Sequence, residues 1–133
     1  MSLPVPPAVI SPDNQEFFSG LERGSLLLPR CDSCGEVIWY PRHQCPSCGG
    51  STVSWFEASG RGHIYSFTIV RRGIGEWAEA APYAIAYVEL AEGPRVLTNI
   101  VADSFDSLLI GAEVQIAIER SEGHPPVLRF ALL

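Results

Sequence analysis

Residues 31–50 read CDSCGEVIWYPRHQCPSCGG, and this stretch holds all four cysteines of the chain. The cysteines form two Cys-x-x-Cys pairs, each followed by a glycine, with ten residues between the pairs. A Cys-x-x-Cys turn places two thiolates on one side of the chain, and the following glycine can adopt the positive φ that turns backbone N–H groups toward the sulfurs. The spacing therefore predicts a four-cysteine zinc ribbon with the ligands Cys31, Cys34, Cys45 and Cys48.

Other uses of the four cysteines fit the sequence less well. Two disulfides need an oxidising compartment, and the N-terminal sequence MSLPVPPAVI is not a secretory signal. A thioredoxin-like redox site needs one Cys-x-x-Cys at the head of a helix rather than two in tandem. A rubredoxin-like iron site stays open, because four thiolates do not by themselves select zinc over iron. Four protein ligands leave no open coordination position, so the metal is predicted to be structural.

The length and composition favour one domain, or a small module joined to a modest one. The chain has 133 residues, of which 47% are hydrophobic and 18% charged, enough for a globular core. No basic residue precedes the three early prolines, and no apolar run approaches the length of a membrane span. We therefore expect a reduced, cytoplasmic protein without a membrane partner.

The net charge of −6 is unevenly distributed along the chain. Residues 1–22 carry three acids, residues 23–72 carry six arginines against three acids, and residues 73–133 carry three arginines against nine acids. A compositional bias explains why the chain has arginine but no lysine, yet it does not explain this clustering. A basic middle in an acidic chain predicts a local anion site, and an ordinary solvated face is the alternative.

The segment before the ribbon predicts an arm followed by a short helix. Residues 1–10 are rich in proline, and we expect an extended arm that is mobile unless a partner holds it. Asp13 and Glu16 have the spacing of a capping box, which marks the start of a helix. One stripe of this helix is apolar and either packs on the rest of the chain or docks another protein; it comprises Phe17, Phe18 and Leu21.

After the ribbon, short runs of alternating apolar and polar residues are typical of a β-barrel. Tyr65, Phe67 and Ile69 are predicted to share one face of the first barrel strand. Strands are predicted at residues 25–30, 37–40 and 52–57 in the ribbon and at 63–71, 83–90, 95–101, 114–119 and 127–132 in the barrel. Five barrel strands with a helix or turn after the third fit an OB-fold, and an SH3-like barrel is the alternative. The predicted fold class is mainly β, with an arm and short helix, a rubredoxin-like zinc ribbon and a five-stranded OB-fold barrel, divided at residues 1–24, 25–56 and 57–133.

Little in the sequence suggests an independent active site. It contains neither a phosphate-binding G-x-x-x-x-G-K loop nor a G-x-S-x-G elbow. The three histidines, at positions 43, 63 and 124, have no neighbour in the sequence that suggests a catalytic pair. The long loop RGIGEWAEAAP, residues 72–82, is predicted to be functional, because long loops in compact barrels usually are; a mobile hairpin tip is the alternative.

Four segments in this order resemble a known family. They are GLERGSLLLPRCDSCGEVIWYPRHQCPSCGG, SGRGHIYSFTIVRR, PYAIAYVELAEGPRVLTNIV and the glycine of LLIGAEV. The chain resembles the zinc-ribbon plus OB-fold proteins first catalogued as a domain of unknown function and later tied to acyl-CoA metabolism. Members of that family act beside thiolase-superfamily enzymes, namely thiolases, hydroxymethylglutaryl-CoA synthases and thiolase-like aldol lyases of steroid side-chain breakdown.

The resemblance implies a non-catalytic accessory subunit in lipid metabolism that holds or shields an acyl-CoA thioester. Arginine binds phosphate in a bidentate manner, so the basic middle of the chain supplies candidates for the CoA phosphates: Arg61, Arg71, Arg72 and Arg42. The loop at 72–82 and the helix around Phe17 and Phe18 are predicted to contact the partner enzyme. The alternative function is a module that binds single-stranded nucleic acid, which the acidic barrel half disfavours.

Overall fold

The computed structural model describes residues 3–133, and its architecture confirms the mainly β fold class. One α-helix and two strands precede a barrel of five strands within these residues. The elements in chain order are α1 (Gln15–Glu22), β1 (Leu27–Cys31), β2 (Val53–Glu57), β3 (Arg61–Val70), a 3-10 turn (Gly75–Trp77), β4 (Tyr83–Leu90), β5 (Arg95–Val101), β6 (Glu113–Glu119) and β7 (Val127–Leu132). No helix within residues 3–133 has the length and apolar character needed to cross a membrane.

The ribbon is built on the antiparallel pair β1 and β2, which runs from Leu27 opposite Glu57 to Cys31 opposite Val53. The strand predicted at 37–40 is wrong, because the chain forms only a single bridge there, between Val37 and Arg30. The next residue, Ile38, still donates its N–H to the Pro29 carbonyl of β1 at 2.9 Å, and its side chain packs with Cys31 in the small core under the cysteines. The pairing does not develop into a strand after this residue.

The barrel is closed in the order β3-β4-β5-β7-β6, with every pair antiparallel except β5 and β7. This connectivity is that of an OB-fold and resolves the choice between an OB-fold and an SH3-like barrel. Alternate residues of β4 and β5 fill the interior, as expected from the period of two. The buried barrel residues include Ile64, Ala84, Ala86, Val88, Val96, Ile100, Val114 and Phe130.

A β-bulge in β3 changes the face on which one predicted core residue lies. Ile64 pairs with Val88 and Ser66 with Tyr87, so Tyr65 has no partner across the β3–β4 ladder. The extra residue shifts the alternation, because a bulge places two residues opposite one. Tyr65 is consequently exposed, whereas Phe67 and Ile69 pack against the core. The prediction that the three side chains share one face is wrong for Tyr65.

Helix α1 is anchored by its apolar stripe rather than by the predicted capping box. The residue before the helix is Asn14, and its side-chain oxygen accepts a 2.7 Å hydrogen bond from the Ser11 N–H. Asp13 does not cap α1; its carboxylate accepts from the backbone N–H of His43. Phe17 is only 3% exposed and packs edge-on against Trp39 of the ribbon. The helix therefore joins the ribbon to the barrel.

The N-terminal arm lies on the barrel, which corrects the expectation that only a partner would hold it. The guanidinium of Arg129 is buried in β7 and donates a 2.7 Å hydrogen bond to the Pro4 carbonyl. The same guanidinium pairs with the Glu119 carboxylate of β6. Further along the arm, the Asn14 side chain donates to the Val9 carbonyl. The described part of the arm is thus held at Pro4 and at Val9.

Candidate metal centre and partner surface

The four cysteine sulfurs form one cluster at the tip of the ribbon. All four Sγ atoms lie within 4.8 Å of one another, and the pairs Cys31–Cys48 and Cys34–Cys45 are each 3.6 Å apart. Four thiolates around a tetrahedral zinc at about 2.3 Å would be separated by about 3.8 Å. The donor set and its spacing therefore fit a structural Zn²⁺ site.

Glycines after each cysteine pair give the cluster its shape. Gly35 and Gly49 have φ values of 78° and 77°, a region that costs glycine little. Their N–H groups donate to the carbonyls of Cys31 and Cys45, each at 2.9 Å, which closes the two turns. The N–H of Gly50 donates to the Cys48 sulfur at 3.4 Å. The two loops thus present their sulfurs to a common centre.

The neighbouring thiols have opposite acid–base tendencies before a metal binds. Hydrogen bonding from the Cys34 backbone, helped by Ser33, outweighs burial and lowers the pKa of Cys31 to about 7. The Glu36 backbone acts in the same direction on Cys34, but burial and the surrounding thiols outweigh it and raise the pKa of Cys34 to about 12. Four thiolates repel one another at this distance, so a bound cation is what makes full deprotonation favourable.

The histidines lie outside the metal cluster. The Nδ1 atom of His43 is 3.6 Å from the Asp13 carboxylate, on the exposed surface of the ribbon. His63 is 3.4 Å from Glu89 on the barrel surface, and His124 lies exposed in the loop before β7. Each histidine therefore occupies its own part of the surface, apart from the four thiols.

The structure does not bring the four candidate arginines together. Arg61 begins β3, whereas Arg71 and Arg72 follow the opposite end of this ten-residue strand. The strand rise separates the two ends by roughly 30 Å. Arg42 lies in the ribbon, where its Nε donates to the Tyr40 carbonyl at 3.1 Å. Only Arg71 and Arg72 are adjacent, and both are exposed.

The outward side of β4 and β5, called the outer face below, has an apolar centre with the Glu89–Arg95 ion pair at one end. Tyr87 lies directly opposite Leu97, and Ile85 lies opposite Asn99. Tyr87 is 46% exposed and Leu97 is 57% exposed. These residues were not among the predicted contact residues, although the period of two in both strands places them on the outward side.

The loop at 72–82 borders the outer face and has a fixed shape. The Trp77 ring packs against Tyr83, with 4.7 Å between the ring centroids. The N–H groups of Trp77 and Ala80 donate to the carbonyls of Ile74 and Trp77. Ile74 is 88% exposed at the tip of the loop. A shallow depression of about 380 Å³ lies between Trp77 and Leu97 and joins the loop to the outer face.

A zinc ribbon joined to an OB-fold barrel is therefore the class of protein that the fold and the cysteine site define. The family model described as the ChsH2 rubredoxin-like zinc ribbon domain matches residues 18–54. The model described as the ChsH2 C-terminal OB-fold domain matches residues 55–119. The chain belongs to this zinc-ribbon plus OB-fold family, DUF35, and the predicted resemblance is confirmed.

Several relatives carry names linked to enzyme complexes. A DUF35 domain-containing scaffold protein of Methanothermobacter thermautotrophicus is 35% identical over 112 residues, which cover 82% of this chain and 84% of that protein. A probable enoyl-CoA hydratase alpha subunit of Thermomonospora curvata is 36% identical over 109 residues, 82% of this chain but 34% of that protein. A benzoylsuccinyl-CoA thiolase subunit, BbsA, of Thauera aromatica is 32% identical over 71 residues, 53% of this chain and 48% of that subunit.

The solved structures agree with this assignment. The Ltp2-ChsH2(DUF35) aldolase includes a chain that superimposes with a TM-score of 0.81 at 30% identity, covering 94% of this chain and 98% of that one. Relatives of this protein are thus scaffold proteins and subunits of thiolase-type and aldolase complexes.

Proposed function

We propose that this protein is a non-catalytic accessory subunit that binds a thiolase-superfamily enzyme through the outer face and helps to hold an acyl-CoA thioester. The observation that carries the proposal is the exposed apolar pair Tyr87–Leu97 beside the Trp77 loop, in a chain whose relatives are named as subunits. The partner is a thiolase, a hydroxymethylglutaryl-CoA synthase or an aldol lyase of steroid side chains. The subunit shapes and shields the acyl site of that enzyme.

The outer face supports docking because two large apolar side chains, Tyr87 and Leu97, are exposed directly opposite each other at its centre. Contiguous apolar patches on a soluble protein mark interaction sites more often than scattered residues do. Tyrosine and tryptophan are common anchors at interfaces, since they combine a large apolar ring with one polar group. The face is also the surface on which OB-folds commonly bind ligands, the side formed by the second and third barrel strands.

The loop at 72–82 supports the proposal because it is already ordered. Its 3-10 turn and the contact of Trp77 with Tyr83 hold Ile74 outward. A methyl group added at Gly73 would clash with the Trp77 carbonyl, so the backbone is closely packed at the base of the loop. An ordered loop loses little conformational entropy on binding, which leaves more of the contact energy for affinity.

Arg71 and Arg72 are the residues we propose for CoA phosphate contact. Both are exposed at the base of the same loop, next to Val70, which pairs with Tyr83. Guanidinium groups in this position can bind phosphate in a bidentate manner. Arg61 and Arg42 belong to other parts of the surface, so we do not assign them to the same phosphate.

In this proposal the role of the ribbon is structural. Cys31, Cys34, Cys45 and Cys48 would bind one zinc; two of these residues are buried and two are exposed. The metal then holds together a segment whose own core is small. The bound zinc has no open position, so it supplies no Lewis acid to a substrate.

Capture from the native host, followed by reconstitution, tests the partner assignment. We expect the tagged chain to co-purify with an enzyme that mass spectrometry identifies as a member of the thiolase superfamily. Leu97→Asp should weaken binding of the purified enzyme at least tenfold, because it places a charge in an apolar contact. Leu109→Asp is the matched control, since Leu109 is 66% exposed in the loop between β5 and β6. Equal binding by the two variants, or capture of a nucleic acid instead, would overturn the proposal.

Calorimetry on the assembled complex tests the phosphate contact separately. Arg71→Ala should weaken binding of a CoA thioester about tenfold, since a charged hydrogen bond contributes about 1.5–3 kcal/mol. Arg23→Ala, an exposed arginine at the end of α1, is the control that should leave affinity unchanged. Wild-type affinity in the Arg71→Ala/Arg72→Ala double variant would exclude this pair as the phosphate site.

A further inference from the structure

A small apolar groove lies where the arm, α1, the ribbon and the barrel meet. Its volume is about 150 Å³. The barrel contributes Val96 and Leu128, the ribbon contributes Trp39, and the arm contributes Pro6 and Ala8. Four separate parts of the chain thus surround one concave apolar site.

The groove exists because the barrel seam between β5 and β7 is only partly paired. These parallel strands pair at Ile100–Phe130 and Val101–Ala131. Closer to Val96, a side chain connects the two strands instead of the backbone: the Thr98 hydroxyl donates a 3.1 Å hydrogen bond to the Leu128 carbonyl. Pro6 and Ala8 of the arm line the groove together with Val96 and Leu128, and the arm is held nearby by the hydrogen bond from Arg129 to Pro4.

The walls of the groove suit an uncharged ligand with few hydrogen-bonding needs. Pro6, Pro125 and Pro126 line it and have no N–H to donate. At the edge of the groove the Asn14 amide donates to the Tyr40 hydroxyl at 3.3 Å, and Tyr40 is 40% exposed. A peptide laid in the groove would find few donors for its carbonyls. A ring or a short alkyl chain has no hydrogen-bonding group, so the shortage of donors does not weaken its binding.

We propose that the groove binds one small uncharged group of about the size of benzene, either an aromatic ring or a short alkyl chain. A volume of about 150 Å³ is large enough for benzene. The arm forms the outer wall of the site. This binding property is separate from partner docking and from CoA recognition.

One extension rests on the proposed function. Leu97 lines both the groove and the depression beside Trp77. An enzyme docked on the outer face would therefore lie next to the mouth of the groove. The group that enters it in the complex would be the far end of the acyl chain.

Titration of the full-length, zinc-loaded chain with toluene tests the site without any partner or CoA. We expect saturable shifts of the methyl resonances of Val96, Leu97 and Leu128 in ¹³C-resolved spectra, and no such shifts with benzoate, whose charge would be buried. Ala8→Trp should weaken toluene binding at least tenfold by filling the groove from the exposed arm. Val9→Trp is the control, because Val9 is 83% exposed on the same arm and does not line the groove.

Three results would overturn the assignment. The first is the absence of saturable shifts with toluene in the wild-type chain. The second is unchanged toluene binding in Ala8→Trp when its zinc content and spectrum are those of the wild type. The third is saturable binding of N-acetyl-leucine amide without binding of toluene, which would make the groove a site for a protein side chain. Failure of partner docking would affect none of these measurements.

Discussion

Phe17→Ala tests whether α1 is a structural joint or a free docking face. Phe17 is 3% exposed and makes edge contacts with Phe18, Trp39 and Tyr40 at centroid distances of 5.1, 5.5 and 5.9 Å. Removing a buried phenylalanine costs about 3–5 kcal/mol, and three aromatic contacts place this site in the upper half of that range. We expect the free energy of unfolding to fall by about 4 kcal/mol. For a domain of this length the melting temperature should fall by roughly 12–20 °C.

Urea denaturation with zinc present, followed by tryptophan fluorescence and circular dichroism, measures this loss. Ile74→Ala is the matched control, since its side chain is 88% exposed and its removal should change stability by less than about 0.5 kcal/mol. A loss below about 1 kcal/mol for Phe17→Ala, together with lost partner binding, would refute the structural role. This combined result would mean that α1 is a docking face for the partner.

Three further outcomes follow from the ribbon and the helix start. Elemental analysis should give one zinc per chain, and Cys45→Ser should lose the metal and unfold the ribbon, because structural zinc contributes about 10–16 kcal/mol of apparent binding energy. Without metal the pKa is about 7 for Cys31 and about 12 for Cys34, so zinc must displace protons to bind. Release of zinc to a chelator should therefore become easier as the pH falls. A zinc affinity that does not depend on pH would contradict this. Asn14→Ala should cost about 1–3 kcal/mol in chemical denaturation through its lost hydrogen bonds. Asp13→Ala should lower the free energy of unfolding by less than about 0.5 kcal/mol. Equal losses for Asn14→Ala and Asp13→Ala would support the capping box instead.

The features that could be predicted from the sequence are the local and periodic ones. Paired Cys-x-x-Cys turns with glycines depend on a few neighbouring residues, so the cluster could be predicted from spacing alone. The barrel strands at 83–90, 95–101 and 127–132 were placed correctly, because alternation and flanking turn residues mark their ends. The outer face follows from the same alternation, whereas partner contact was predicted at the loop at 72–82 and at the helix around Phe17 and Phe18, two side chains that are buried.

The features that escaped prediction depend on distant contacts or on single-residue irregularities. The bulge at Tyr65 adds one residue to a strand whose pattern looks regular. The contact of Arg129 with Pro4 joins residues 125 positions apart, so the sequence around either residue does not indicate it. Arg61 and Arg71 are near in sequence, yet an extended strand separates them. Closeness along a strand therefore does not make a common anion site.

Hydrogen exchange of the chain with and without its enzyme partner tests the central claim most directly. In the complex we expect slower amide exchange in the loop at 72–82 and at the edges of the outer face. We expect unchanged exchange in the loop at 103–111, which lies between β5 and β6 and carries the exposed Leu109. A stable complex in which the loop at 72–82 exchanges as fast as in the free chain would contradict docking through the outer face.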